Sequence, residues 1–344
     1  MSLAVELVSR GASVRFLSRP AEGDLSDTIR AAGFPVQPLP SDGAAASDGL
    51  VPIGIRDAEA TRAALSGSPM DWIVVDHYGI DATWERTVRP VASRLLAVDD
   101  LPVRDHECDL LLDMTLDRRA DEYRPLIPDG ALLLAGARYA LLRPEFSRLR
   151  RQALARRTLG GAVREVLLSF GGSDPADATS GVVEQVFQQL PADCGLTVVS
   201  GADSPHLGSV RRVVEGMPER VRLLSGVTDM AERMQAADLA VGAGGVTSWE
   251  RCCLGLPTLI ITIAANQQQV ADALHRRGAA HFCGTRGEVA LHPNRLTEPL
   301  RRLLDDPAAR ATMAQRAAAV TDGRGAARVA EAMERMTGSE RTES

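Results

Sequence analysis

Short apolar segments alternate with amphipathic helical segments along almost the whole chain, and that alternation leaves few folds open. Strands that read as near-continuous apolar runs are buried on both faces. Helix-length connections between them specify parallel sheets with right-handed crossovers. Two series can be separated. In the first, strands are expected near 14–18, 72–76, 95–99 and 110–113, with helices such as 24–32 and 81–92. In the second, strands near 166–169, 196–200, 221–224, 239–242 and 258–263 alternate with helices starting near Ala176, His206, Met230, Thr247 and Gln267. The expected fold class is α/β, with two Rossmann-like domains facing each other across a cleft.

Composition places the boundaries. An Arg-rich helical stretch ends in Gly160 and Gly161, so domains are expected at 1–143 and 162–336, with a linker at 144–161. Its residues Arg148, Arg150, Arg151, Arg156 and Arg157 have the spacing and the acidic neighbours of a solvated helix face. The segment 41–57, rich in Ser, Gly, Ala and Asp, is expected as a loop, and the polar residues 337–344 as a disordered tail. The opening LAVELVSRGASVRFLSR reads as the second half of a helix, a turn at Gly11 and a strand. The strand and loop that ordinarily precede such a helix are not part of it.

With 344 residues the chain can bury two cores, and no apolar run approaches the length that spans a bilayer. A formal net charge of −6 argues against a nucleic-acid surface. Five cysteines, at 108, 194, 252, 253 and 283, form no CxxC pair, which suits a reduced, cytoplasmic setting. Adjacent Cys252 and Cys253 point apart on a helix, and the six histidines show no metal spacing, so neither metal nor cofactor is expected. No GxSxG, HExxH or P-loop sequence is present.

The most informative stretch is AADLAVGAGGVTSWERCCLGLPTLIITIAANQQQVADAL, residues 236–274. It reads as strand, glycine turn, helix, strand, turn, helix. Gly242, Gly244 and Gly245 let a backbone approach an anion, and the N–H groups that open the following helix, at Thr247 and Ser248, suit a phosphate. Glu250, about a turn further on, suits a ribose diol, and Asn266 and Gln267 end the next strand. A tight turn with a helix cap is the other reading of the glycines alone. The loop VLLSFGGSDPADAT repeats the logic with Gly171, Gly172 and Ser173, although Ser173 and Asp174 equally suit capping. In the first half, Asp76, His77 and Tyr78 end an apolar strand. His77 suits a general acid or base with Asp76 fixing its tautomer, or else a satisfied strand-end histidine. Asp99 and Asp100 end the next strand and suit either a site or a cap.

The stretches VVDHYGID, CDLLLDMTLDRRADEYRPLIPDGALLLAGARYALLRPEF, LLSFGGSDP and GAGGVTSWERCCLGLPTLIITIAANQ resemble the UDP-sugar hydrolases of the pseudaminic acid pathway and related spore-coat polysaccharide biosynthesis proteins. The likeness runs from the first residues to about position 335. It implies a GT-B-like fold and metal-free hydrolysis of UDP-2,4-diacetamido-2,4,6-trideoxy-β-L-altropyranose, with water attacking the anomeric carbon. By motif, Gly244, Gly245, Thr247, Ser248 and Glu250 would hold UDP, Asn266, Gln267 and Tyr78 would lie near the sugar, and Arg138 and Tyr139 would line the interdomain region. Two departures are visible. Family members tend to carry asparagine near Asp113. They also begin with a strand and a GxGHxxR loop whose histidine is taken as catalytic, which leads us to expect an upstream segment of about twenty residues. The competing functions are a GT-B glycosyltransferase using a UDP-sugar donor and an inert nucleotide-sugar binder.

Overall fold

The computed structural model describes residues 1–21, 24–40, 54–68, 70–158, 160–172 and 174–341, with side chains described no further than 338. Two compact units form: Met1–Leu141 together with Gly325–Ser344, and Leu142–Arg324. The first contains α1 (Ser2–Ser9), β1 (Phe16–Ser18), α2 (Ser26–Ala31), β2 (Val36–Pro38), α3 (Ile55–Leu65), β3 (Met70–Val75), α4 (Ala82–Val88), β4 (Ala92–Val98), β5 (Leu110–Asp113), α5 (Ala120–Tyr123) and β6 (Leu132–Ala135). The second contains α6 (Pro144–Thr158), β7 (Glu165–Ser169), α7 (Ala178–Phe187), β8 (Gly195–Ser200), α8 (Leu207–Glu215), β9 (Val221–Ser225), α9 (Met230–Ala236), β10 (Leu239–Gly242) and α10 (Thr247–Cys253). It continues through β11 (Thr258–Thr262), α11 (Gln268–Arg276), β12 (His281–Thr285), α12 (Arg286–Leu291), α13 (Asn294–Asp305) and α14 (Pro307–Ala318), after which α15 (Gly325–Arg341) returns to the first unit.

All strand pairings are parallel, as the apolar runs require. The first unit holds a four-stranded sheet in the order β3-β4-β5-β6 and a separate pair, β1-β2. Leu95, Leu96 and the run Leu110 to Leu112 are fully buried in the four-stranded sheet. Helix α1 serves both sheets: Leu3 packs with Leu96, Leu110 and Leu112, whereas Ala4 packs with Ile29 and Phe34 beside β1 and β2. Strands β2, β6 and β12 are not among those expected; β2 is only three residues long, whereas 132–135 is an all-apolar run bounded by Pro128-Asp129-Gly130 and Gly136, a signal the expectation passed over.

In the second unit the order is β12-β11-β10-β7-β8-β9. From β7 the chain moves outward through β8 and β9, then crosses back to β10 and continues outward on the other side. The switch point of this doubly wound sheet therefore lies between β7 and β10, where open α/β sheets bind ligands beyond their strands' carboxyl ends.

Four expectations need correction. The final helix, assigned by sequence proximity to the second domain, packs its stripe of Val329, Ala330, Met333 and Met336 on the first unit's sheet. The tail from 337 continues that helix to Arg341, and the Thr337 hydroxyl accepts from the Trp72 indole at 2.9 Å. Of the expected linker 144–161, Pro144–Thr158 form the helix α6, which belongs to the second unit. Of the expected loop 41–57, residues 41–53 lie outside the described residues and Ile55 already opens α3.

The arginines of α6 are likewise not all solvated. Arg150 turns inward and donates to the carbonyls of Cys253 (2.5 Å), Thr321 (3.0 Å) and Ala318 (2.7 Å). Arg157 reaches Met234 O at 2.8 Å near the end of α9, and Arg310 reaches Leu303 O at 2.6 Å near the end of α13. The last carbonyls of a helix have no intrahelical donor and carry the negative end of its dipole, so a guanidinium there finds acceptors without a carboxylate, although Nε and Nη1 of Arg157 keep no partner among the described residues. Replacing Arg150 with Met should leave those carbonyls without their charged donor and lower the stability of the second unit by about 2–3 kcal/mol, measured as a shift in urea midpoint at unchanged m-value.

Candidate functional site

Four turns leave the carboxyl ends of the central strands of the second unit. Gly171 (φ +98) and Gly172 follow β7, Gly201 follows β8, Ala243 to Val246 follow Gly242 at the end of β10, and Ile263 to Gln267 follow β11. They are close together by backbone contact. A Cβ on Gly201 would overlap the Gly172 carbonyl, and one on Gly244 would lie 3.0 Å from Gln267 O. At Gly242, paired with Ser169 across the switch point, a Cβ would overlap Ser169 O and meet Arg251 Nη1 at 2.5 Å.

Gln267 braces the turn after β10. Its Oε1 accepts from Gly244 N at 3.3 Å and from Ile263 N at 3.1 Å, which ties the ends of β10 and β11 together. Ser248 N donates to Gly245 O at 2.9 Å and Trp249 N to Val246 O at 3.0 Å. The run of bare N–H groups expected at this helix start is therefore shorter: Gly245, Val246 and Thr247 keep amides with no acceptor among the described residues. Helix α10 has only 7 residues, so its macrodipole adds little and the oriented amides matter more.

Thr247 and Glu250 stand half-exposed, and neither side chain has a hydrogen-bond partner among the described residues. Burial pushes the Glu250 carboxyl above the usual carboxylate range, while Arg143 and Arg251 pull it down. Ser248, expected at the nucleotide, is instead buried beneath the turn. Its hydroxyl donates to Ala243 O at 3.4 Å and accepts from Arg251 Nη2 at 3.0 Å. Asn266 is exposed beside Gln267. In the neighbouring loop Asp174 caps α7, accepting from Ala178 N at 3.0 Å and Thr179 N at 2.9 Å. Gly172 is exposed there, and Ser173 lies outside the described residues.

In the first unit Asp76, His77 and Tyr78 follow β3 as expected, but they do not act as one hydrogen-bonded group. His77 Nδ1 accepts from Gly79 N at 2.9 Å, so the backbone and not Asp76 sets the tautomer and leaves the proton on Nε2. Asp76 stands exposed, and the partial desolvation that raises its carboxyl is reinforced by Asp100. The Tyr78 hydroxyl donates to Asp100 Oδ1 at 2.8 Å, and the Arg104 guanidinium lies over its ring at 5.6 Å. Arg138 stacks on Tyr139 at 5.0 Å, and both line a cavity of about 410 Å³ with Arg124, Ile127 and Leu133 beside β6. β3 and β6 are the two flanks of the four-stranded sheet, about 14 Å apart at ordinary strand spacing, so His77 and Tyr78 are not brought together with Arg138 and Tyr139.

Between them lies a charged network that the sequence did not announce. Asp113 is buried and accepts from Thr115 N at 2.6 Å and from Arg118 Nε, and Arg118 Nη1 pairs with Glu122 at 2.8 Å. The Tyr123 hydroxyl lies 2.7 Å from Asp99 O and 3.0 Å from Asp113 Oδ2. An asparagine at 113 would leave Arg118 without its buried counter-ion, so the aspartate and the arginine belong together. The i, i+4 spacing of Arg118 and Glu122 was the one signal available for it.

His106, also missed, is buried between two carboxylates, Nδ1 2.8 Å from Glu85 Oε1 and Nε2 3.0 Å from Asp99 Oδ2, with Arg104 Nε 3.1 Å from the same Asp99 oxygen. Burial alone would lower its pKa, but the hydrogen bonds to Asp99 and Glu85 outweigh that and raise it to about 9.

All five cysteines are free and buried, and burial pushes the Cys252 and Cys283 thiols up to about 12. Among the described residues no group of three or more His, Cys, Asp or Glu is arranged to hold a metal ion, and no helix is long and apolar enough to cross a membrane.

Residues 166–335 match the profile of the glycosyltransferase family 28 C-terminal domain. The spore coat polysaccharide biosynthesis protein SpsG of Bacillus subtilis is 29% identical over 208 residues, 60% of this chain and 59% of SpsG, so the match spans about three fifths of that relative. UDP-2,4-diacetamido-2,4,6-trideoxy-β-L-altropyranose hydrolase of Campylobacter jejuni is 22% identical over 274 residues, 79% of this chain and 89% of that protein. Among solved structures, MurG of Acinetobacter baumannii superposes with a TM-score of 0.68 at 15% identity, covering 97% of this chain and 94% of that one. At that identity the likeness is one of fold, and the fold is GT-B, built of two Rossmann-like α/β units.

The His106 arrangement fixes a pH dependence. A folded pKa of about 9 against about 6.5 unfolded means the folded state binds the extra proton. The stabilisation is complete below pH 6.5 and is lost as pH rises through 9. The urea midpoint of the first unit should fall between pH 7 and about 9.5, by a few kcal/mol in stability, and His106→Gln should flatten that slope.

Proposed function

We propose that the chain hydrolyses a UDP-activated diacetamido-trideoxy sugar, releasing UDP and the free sugar by attack of water at the anomeric carbon in surface-glycan biosynthesis. The observation that carries this reading is the turn after β10. Among the described residues the amides of Gly245, Val246 and Thr247 have no acceptor, which suits a diphosphate, and the Glu250 carboxylate has no hydrogen-bond partner, which suits the ribose diol. Gln267 and the exposed Asn266 suit the sugar side, and Gly171 and Gly172 a second approach to the phosphates. The choice of hydrolysis is supported by the length of the likeness to the Campylobacter hydrolase, which spans 89% of that protein.

The chemistry is assigned to the group after β3. Asp76, exposed and with its carboxyl raised, is suited to take the proton of the attacking water. His77, with Nδ1 held by Gly79, is suited to donate a hydrogen bond from Nε2–H to the departing diphosphate, which leaves as the UDP anion and takes up no proton, and Tyr78 is suited to a sugar contact.

The second reading is transfer of the sugar from a UDP donor to an acceptor, favoured by the family 28 match over 166–335. The third is binding without turnover. Incubation with UDP-2,4-diacetamido-2,4,6-trideoxy-β-L-altropyranose should release UDP at a rate that does not depend on any acceptor. Release only when an acceptor is added would replace hydrolysis by transfer, and tight UDP binding without release would leave a binder. Asp76→Asn and His77→Ala should each lower kcat by about 100-fold with UDP affinity retained. Unchanged turnover in both would remove this strand end from the mechanism.

A further inference from the structure

Arg251 differs from the other inward-turned arginines of its unit in where its guanidinium ends, although Arg157 too keeps Nε and Nη1 without a hydrogen-bond partner among the described residues. Arg150, Arg157 and Arg310 end on carbonyls at helix termini. Arg251, 3% exposed, ends on the glycine turn: Nη2 donates to Ala243 O and, at 3.0 Å, to Ser248 Oγ. Its Nη1 lies against Gly242, at the switch point between β7 and β10. Nε is buried with no hydrogen-bond partner, and no carboxylate lies within ion-pair distance of the guanidinium among the described residues.

A buried cation with one unused donor and no counter-ion is unfavourable unless a negative charge compensates it. The groups around it are a carbonyl, a hydroxyl and glycine backbone, which solvate but do not neutralise. The turn that Arg251 holds reaches the surface at Val246, and its Gly245, Val246 and Thr247 amides have no acceptor among the described residues, so an anion there would feel both the amides and the guanidinium through protein of low dielectric. The geometry points to a role for Arg251, resting on the nucleotide-sugar function proposed above. We propose that it is a positioning residue for a nucleoside diphosphate: it holds the Ala243 carbonyl down, turns the Gly245 to Thr247 amides outward, and supplies a fixed positive charge beneath the diphosphate. It touches no substrate atom. It acts through the turn.

The test compares UDP with uridine, which lacks the charge, by calorimetry on the wild type, Arg251→Met and Arg251→Lys. The wild type should bind UDP at least about tenfold more tightly than uridine, Arg251→Met should lose about tenfold for UDP and less than about twofold for uridine, and Arg251→Lys should keep most of the preference. Equal losses for both ligands in Arg251→Met would make the residue a structural brace only and overturn the proposal, as would no loss for either. Should Arg251→Met fail to fold, the other two proteins decide: a wild type indifferent between UDP and uridine, or an Arg251→Lys variant without the preference, overturns it. A wild type that binds neither ligand would instead remove the nucleotide-sugar function itself.

Discussion

Ser169 on β7 and Gly242 on β10 lie in register at the switch point, and the volume a side chain at 242 would need is taken by the Ser169 carbonyl and the Arg251 guanidinium. Much of the second unit's upper edge follows from that approach. With no Cβ at 242, the arginine can reach Ala243 O from below and the turn can continue through Gly244 against Gln267. Gln267 in turn joins the ends of β10 and β11, so one side-chain amide and one guanidinium set the shape of a loop that has little helix behind it.

Charge is used in two different ways in the two units. In the second, Arg150, Arg157 and Arg310 are fasteners: they supply donors to the last carbonyls of helices, and their counter-charge is the end of a helix dipole, whereas arginines nearer the surface such as Arg156 and Arg222 pair with carboxylates. In the first, charges are paired side chain to side chain, Arg118 with Asp113 and Glu122, His106 with Glu85 and Asp99, beneath the carboxyl ends of β4 and β5. A network of that kind rigidifies what it surrounds only while each member keeps its partner.

What was legible in the sequence depended on range. The strands of the second unit, from 166 to 263, could be read because each is a local apolar run closed by a glycine or polar turn, and the switch-point turn could be read because its glycines and Glu250 fall in one short stretch of sequence. Pairings between distant residues left no such trace. His106 meets Glu85 and Asp99 only after three elements have packed, and Arg150 finds Ala318 and Thr321 across a gap of more than a hundred residues. Helical spacing in α6 gave the periodicity of an exposed face, yet a long guanidinium can leave such a face and bury its tip, which periodicity does not distinguish. The brief strand β2 carries too few residues to stand out from its surroundings.

The return of α15 to the first unit makes that unit discontinuous, with the second unit inserted between its two parts. During synthesis the inserted unit is a single unbroken stretch and can close its core as it emerges. The first cannot: Leu96, Leu110 and Leu112 wait for Val329 and Met333 of α15, more than two hundred residues further along the chain. Its apolar sheet face is therefore exposed until that stretch has been made, and synthesis of α15, rather than formation of the early strands, is the event that shields it.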